Sequence, residues 1–250
     1  MLEIIEASWI KNALFPMFGL LLGSFITAVS YRLPKGEDII RARSRCPGCG
    51  HTLTVLDLVP VFSWIFSLGK CRHCAKRISI RYPLIEVITA LYFLGVYHYS
   101  LSTGGITLQT AMLLGLGVCL MMFLVMDIEY RFISDPLLMV TLYIGLAYGL
   151  IAGTPTLFDM LIGGLTAGGI GYAIRLFLIW WKGAEALRMG EVKFLLVAGI
   201  YLGYASLPVF FLATLILGLA LKLVSSIRKK SFSLIPALAV ALLGVLLFRF

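Results

Sequence analysis

Charge is scarce in this chain. Asp, Glu, Lys and Arg make up 13% of its 250 residues and only 12 residues are acidic, whereas 60% are hydrophobic. With a mean hydropathy of +1.00, the composition excludes a soluble globular domain. Soluble repeats, low-complexity tracts, a phosphate-binding glycine loop and a Ser or Cys hydrolase nucleophile motif are also missing, so no function rests on those signatures. No cleavable signal peptide is evident. Glu3 and Glu6 stand where a basic n-region would be and the first apolar stretch is long, so the first span is expected to be retained.

What is present is a series of apolar windows of about 17 to 25 residues, the length that crosses a bilayer. They predict helices near 9–31, 84–100, 105–126, 136–152, 158–181, 192–206, 207–224 and 232–249. The expected fold class is an all-α polytopic membrane protein with about eight transmembrane helices. The net charge of +9 would suit nucleic acid, but its placement argues for topology. Ten of the 21 Lys and Arg residues lie in 32–83; Arg131, then Lys182, Arg188 and Lys193, then Lys222, Arg228, Lys229 and Lys230 occupy alternate connections. Only Lys11, Arg175 and Arg249 fall elsewhere. The positive-inside rule then puts loop 32–83 in the cytoplasm and both termini outside, with lipid rather than nucleic acid as the partner of the charge.

Three carboxylates follow the apolar run Thr107 to Met126, in Asp127-Ile128-Glu129-Tyr130-Arg131-Phe132-Ile133-Ser134-Asp135. A carboxylate inside a membrane costs about 2.5 to 3.5 kcal/mol at a helix centre and less near the edge, so a functional role is the default reading. Asp135 precedes Pro136, a favoured first-turn residue, and is expected to cap the next helix. Glu129 lies two positions from Asp127 and points to another helix face. Asp127 is the one without a structural explanation. Glu191, in Arg188-Met189-Gly190-Glu191-Val192-Lys193, occupies the mouth of another span on the same side. The two acids form a candidate pair, although Glu191 alone also suits the positive end of a helix dipole. Gly190 permits close backbone approach to a ligand, or merely a turn.

The loop 32–83 carries Cys46-Pro47-Gly48-Cys49-Gly50 and Cys71-Arg72-His73-Cys74. Two Cys-x2-Cys knuckles match tetrahedral zinc, each supplying two thiolates; disulfides or free thiols are the alternative, and a reducing cytoplasm disfavours the former. Four thiolates close the site, so a zinc on Cys46, Cys49, Cys71 and Cys74 would be structural. His51 and His73 are expected as neighbours and Cys119 as a core residue. Asp57 is expected to cap a short helix at Val61 to Leu68, and Glu86 to lie at the interface with a salt bridge to Arg81 or Lys76. Gly23 and the glycines of 163–171 read as helix packing contacts.

These residues resemble the bifunctional type IV prepilin leader peptidases, bacterial inner-membrane aspartyl proteases that also N-methylate the cleaved pilin. The resemblance covers nearly the whole chain. It rests on Gly23-Ser24-Phe25 with Tyr31-Arg32-Leu33-Pro34, the paired cysteine knuckles, Asp57-Leu58-Val59-Pro60, Arg81-Tyr82-Pro83-Leu84-Ile85-Glu86 and Asp127-Ile128-Glu129-Tyr130-Arg131. It implies Asp127 and Glu191 as the catalytic pair, S-adenosylmethionine as a cofactor beside the structural zinc, and the N-terminal helix of a prepilin or pseudopilin as partner. It also implies a multi-pass protein of the bacterial inner membrane with the zinc loop and the catalytic site on the cytoplasmic side. The implied division is a first transmembrane helix at 1–31, a zinc-binding loop at 32–83 associated with methyl transfer, and a seven-helix aspartyl peptidase domain at 84–250.

The chain departs from the family at its second acidic motif, Gly-x-Gly-Asp before Val-Lys, where Arg188 replaces the first glycine and Glu191 the aspartate. Smaller departures are Thr27 for Asn, Ser134 for Pro, and Ser233-Leu234-Ile235-Pro236 for a Pro-Phe-Gly-Pro-like segment. Glutamate keeps the charge but moves the carboxyl by about 1 to 1.5 Å, and a misplacement of about 1 Å costs on the order of a hundredfold in rate. Two expectations follow: a leader peptidase and N-methyltransferase, or a proteolytically weak or silent homologue acting in pilin binding or methylation.

Overall fold

A computed structural model describes residues 2–39, 41, 43–183, 187–227 and 233–249; of the basic residues assigned to the cytoplasm, Arg228, Lys229 and Lys230 lie outside them. The described residues are helical with no strand. The helices are α1 Leu2–Arg32, α2 Phe62–Phe66, α3 Arg81–Ser102, α4 Leu108–Tyr130, α5 Asp135–Ala152, α6 Leu157–Lys182, α7 Met189–Leu202, α8 Leu207–Ile227 and α9 Ile235–Arg249. All eight expected long helices form, and the short helix expected at Val61 to Leu68 forms as α2. Six are long and apolar enough to cross a membrane, which makes this a multi-pass membrane protein. At 14 and 15 residues, α7 and α9 reach only about 21 to 23 Å at 1.5 Å per residue, short of a hydrocarbon core of about 30 Å.

The chain divides into two compact units, Met1–Val125 and Met126–Phe250. In the first, α1 lies against α3, and two glycines set the approach. A Cβ on Gly19 would stand 2.6 Å from the Ala90 Cα, and one on Gly23 would stand 2.6 Å from the Glu86 Cα. Such backbone contact holds only with small residues, so Gly23 is a packing residue, as expected. Tyr97, Leu113, Leu116 and Leu120 fill the interior beneath.

In the second unit α6 packs on α7 in the same way: Gly163 faces the backbone of Gly199 and Gly203, Gly164 faces Ile200, and Gly168 faces Leu196. The glycine-rich stretch of α6 therefore serves helix packing. The C-terminal half of α7 is fixed by this contact and by α5, whose Gly145 makes room for Tyr201 while the Tyr201 hydroxyl donates to the Thr141 carbonyl at 2.7 Å.

Helix α5 corrects one expectation. Its N-cap is Ser134, 1% exposed, whose Oγ accepts from the Leu137 N–H at 3.3 Å. Asp135 is instead the first helical residue, and it pairs with the Lys193 Nζ at 2.7 Å. A hydroxyl one position earlier outcompetes the carboxylate for the cap because Asp135, already helical, cannot fold back onto its own second turn.

Candidate functional site

Asp127 and Glu191 meet in the second unit. Asp127 sits on the last turn of α4 with 0% exposure and Glu191 on the first turn of α7 with 3%. They do not share a direct hydrogen bond. The guanidinium of Arg188 stands between them: Nη2 donates to Asp127 Oδ1 at 2.6 Å and to Glu191 Oε1 at 3.1 Å, and reaches Ser233 Oγ at 2.9 Å. Its Nη1 donates to the Arg131 carbonyl at 2.9 Å. Charge-assisted bonds of this kind are about twice as strong as neutral ones.

Local chain geometry delivers each member. Arg131, just after α4, takes a left-handed conformation at φ 53°, which costs a non-glycine residue about 1 to 2 kcal/mol. The turn aims its carbonyl at Arg188, while its own guanidinium lies 3.7 Å from Asp127 Oδ2. That buried oxygen has no hydrogen-bond partner among the described residues. Arg188 is the N-cap residue of α7. Glu191, three residues on, accepts the Arg188 N–H at 2.9 Å on Oε2 and the Leu234 N–H at 3.2 Å on Oε1. Glu191 thus closes its own helix start, the structural role the sequence allowed it, while also facing Asp127 across the arginine. Burial works against the charge on Arg188, but the bonds and fields of Asp127 and Glu191 outweigh it and hold its pKa above the ordinary arginine value. Gly190 lies in the first turn of α7, where a Cβ would stand 2.7 Å from Ile133 Cδ1, so the glycine makes room for that side chain.

The four cysteines of the first unit also meet. Their sulfurs lie within 4.8 Å of one another, none is in a disulfide, and Cys46 and Cys74 Sγ are 3.9 Å apart. A tetrahedral ion with bonds of about 2.3 Å spaces its ligands about 3.8 Å apart, so the cluster fits zinc. Each knuckle folds alike. Cys46 N–H donates to the His51 carbonyl and Cys71 N–H to the Lys76 carbonyl, both at 2.9 Å, beside the bridges Arg45–Thr52 and Lys70–Arg77. Gly50 (φ 71°) and Ala75 (φ 57°) take the same left-handed place. The N–H groups of Gly48 and Cys49 pull the Cys46 thiol down to about 6. For Cys74 the Lys76 N–H acts likewise, but burial and its three sulfur neighbours outweigh it and push it up to about 11. Four clustered thiolates need a cation. His51 and His73 are stacked neighbours at 4.2 Å, outside the sulfur cluster.

Two other carboxylates of the first unit take roles different from those expected. Asp57 caps its own turn, Val55–Leu58, where its Oδ2 accepts the Thr54 N–H at 3.0 Å and hydroxyl at 2.7 Å, and it pairs with Arg72 at 3.5 Å. Glu86, 7% exposed, is not an interfacial partner of Arg81 or Lys76. Its Oε2 accepts the N–H of Val61 at 2.7 Å, ahead of α2, and Ser24 is a further partner. Val61 is the centre of a tight three-residue turn (φ 62°, ψ −52°) closed by Phe62 N–H to Pro60 O at 2.6 Å, a strained form for a β-branched residue.

The profile of the Bacterial Peptidase A24 N-terminal domain matches residues 17–100. A prepilin leader peptidase/N-methyltransferase of Aeromonas hydrophila is 31% identical over 238 residues, covering 84% of this chain and 79% of that protein. The chain belongs to the prepilin leader peptidase/N-methyltransferase family. Further members similar to it are those of Pectobacterium carotovorum subsp. carotovorum, 32% identical with 83% and 81% covered, and of Dichelobacter nodosus, 30% identical with 90% and 87% covered. No solved structure matches the chain. Within this family member, Arg188, Ser233 and the Arg131 carbonyl join the pair; the sequence puts Arg188 beside Glu191 but does not signal that its side chain crosses to Asp127.

Proposed function

We propose that the chain processes type IV prepilin-like proteins at the cytoplasmic face of a bacterial inner membrane, removing the leader with Asp127 and Glu191 and N-methylating the new N-terminus. The observation that carries the peptidase half is the convergence of two buried carboxylates, from helices 64 positions apart in sequence (191 minus 127), on one nitrogen. In an aspartyl mechanism the pair shares one proton. The ionised member removes a proton from water as that water attacks the scissile carbonyl, and the protonated member hydrogen-bonds the carbonyl oxygen. Here a guanidinium supplies the positive charge that a shared proton would supply, so cleavage requires Arg188 to swing off the pair. Ser233 and the Arg131 carbonyl are its remaining anchors.

The zinc knuckles of 32–83 organise the methylating half. Bound S-adenosylmethionine supplies the methyl group to the neutral α-amine exposed by cleavage. The peptidase domain spans 84–250. The arginine bridge favours a second reading, in which the protein binds and methylates prepilin-like chains without cleaving them. Purified protein incubated with an intact prepilin separates the two: leader removal abolished by Asp127→Ala supports the first, and methylation or binding without any leader removal supports the second.

A further inference from the structure

Charge is missing from the middle of the loop that carries the knuckles. None of the ten basic residues of 32–83 lies between Arg45 and Lys70, and 53–68 holds a single charge, Asp57. That carboxylate is already met by Arg72 of the second knuckle at 3.5 Å and by Thr54. The apolar residues of the same stretch do not turn inward. Val55, Leu56, Phe62, Ile65, Phe66 and Leu68 are all exposed, Val55, Phe66 and Leu68 to 81%, 77% and 82%. Clustered apolar exposure of this kind marks contact with a protein or with a membrane.

The level at which the stretch is held decides between the two. Glu86 stands five residues past Arg81, the first of α3, which is about 7.5 Å along the axis at 1.5 Å per residue. Its Oε2 accepts the Val61 N–H at 2.7 Å. Helix α1 passes the same level at Gly23, nine residues or about 13.5 Å before its end at Arg32. A groove repeats the placement: Leu21, Phe25 and Ala28 of α1 line one side and Val55, Leu58 and Pro60 the other, with Arg32 also on the lining. Both α1 and α3 belong to the helices able to cross a membrane, and Leu21, Phe25, Leu84 and Leu91 are exposed on them. The stretch thus lies beside lipid-facing side chains and inside the ends of both spans. Those ends carry the residue types of the bilayer–water boundary: Lys35 over the Tyr31 ring at 3.5 Å and Arg81 over the Tyr82 ring at 5.2 Å.

We infer that 53–68 is an interfacial anchor, its apolar side chains embedded in the bilayer leaflet that meets the start of α3. Interfacial segments of this kind sink about 5 to 10 Å into the headgroup and acyl boundary. Irregular chain persists at that depth only when its backbone groups find partners. Here Asp57 N–H donates to the Thr54 carbonyl at 3.1 Å, Ser63 N–H to Val59 and Ile65 N–H to Val61, both at 3.0 Å. The N–H groups of Thr54 and Val61 go to the carboxylates of Asp57 and Glu86. The bilayer is the occupant because the exposed face continues the lipid-facing surface of the two spans. Its consequence is to pin the two knuckles, which flank the stretch, at headgroup level, where the exposed Arg45, Lys70 and Arg77 meet lipid phosphates. None of this depends on the proposed function.

The test uses the full-length wild type, zinc loaded, in vesicles of phosphatidylethanolamine and phosphatidylglycerol with a tracer phosphatidylcholine that carries a diazirine near the ester end of one acyl chain. After irradiation, peptide mapping is expected to find lipid adducts in 53–68 as well as in α1 and α3, on the order of tenfold above the knuckle peptides 44–52 and 70–78. p-Benzoylphenylalanine at position 66 keeps an aromatic ring where Phe66 stands and is expected to crosslink to phospholipid, whereas the same label in place of Arg77 is not. Adducts in α1 and α3 with none in 53–68, adducts spread equally over the knuckles, or a crosslink from position 66 to a second copy of this chain or to another protein overturns the insertion.

Discussion

Arg188 Nη2 lies 2.6 Å from Asp127 Oδ1, so a residue that in the family motif is glycine is here the counterion of the first acidic motif. The same nitrogen reaches Glu191, which makes the two departures in the second motif one structural unit: the longer acid and the arginine occur together and satisfy each other. Removing the arginine takes away the cation that contacts both carboxylates and leaves Arg131, 3.7 Å from Asp127 Oδ2, as the neighbour of one of them; two carboxylates in one site is the condition under which a pair retains one proton.

Arg188→Gly is therefore expected to destabilise the second unit by about 2 to 3 kcal/mol. This is below the cost of breaking a fully buried pair because 32% of the Arg188 side chain reaches solvent. Asp127 and Glu191 hold Arg188 above its ordinary pKa, so the guanidinium keeps its charge at neutral pH and the loss is that of a charged partner. Thermal unfolding of wild type and variant reads the difference.

Loss of one cysteine opens the metal centre. Cys46→Ser or Cys71→Ser is expected to abolish stoichiometric zinc, measured by metal analysis, and to expose the loop between Arg43 and Ile80 to limited proteolysis. The α5–α9 segments keep their resistance, because they belong to the second unit and the cluster lies in the first.

The cap of α5 distinguishes neighbouring residues. Ser134→Ala is expected to cost about 1 kcal/mol through the lost bond to Leu137. Asp135→Ala is expected to cost at most about 0.5 kcal/mol, since its ion pair with Lys193 is exposed on both sides. Denaturant unfolding of the two variants gives the order.

Asp57 responds to acid. The side chain and N–H of Thr54 hold its carboxyl below the ordinary 3.8. A depressed folded-state pKa contributes stability that is complete above the ordinary value and is lost as the pH falls through the lower one. Hydrogen exchange at the Thr54 amide is expected to stay protected down to about pH 4 and to lose protection below it, and Asp57→Ala, which has no acceptor, to be unprotected throughout.

The sequence made legible what depends on local spacing or on runs of composition. Eight apolar windows became eight helices, two cysteine knuckles became one sulfur cluster, and the two acids that follow or begin apolar helices came together. What it hid depends on where flexible or short side chains turn. Ser134 and Asp135 differ by one position and either can cap a helix. Arg188 extends over several bonds, and its contact with Asp127 spans 61 residues. Asp57 and Glu86 each satisfy backbone N–H groups whose positions follow from turns at Thr54 and Val61, and a strained β-branched turn is not written in composition.

In the proposed function Asp127 and Glu191 are the peptidase pair and Arg188 restrains them. The most direct test is the rate of leader removal from an intact prepilin by purified wild type, Arg188→Gly, and Arg188→Gly combined with Asp127→Ala. A rise of at least tenfold is expected for Arg188→Gly, with no cleavage when Asp127 is also removed. An Arg188→Gly rate equal to that of the wild type, or cleavage that survives Asp127→Ala, contradicts these roles.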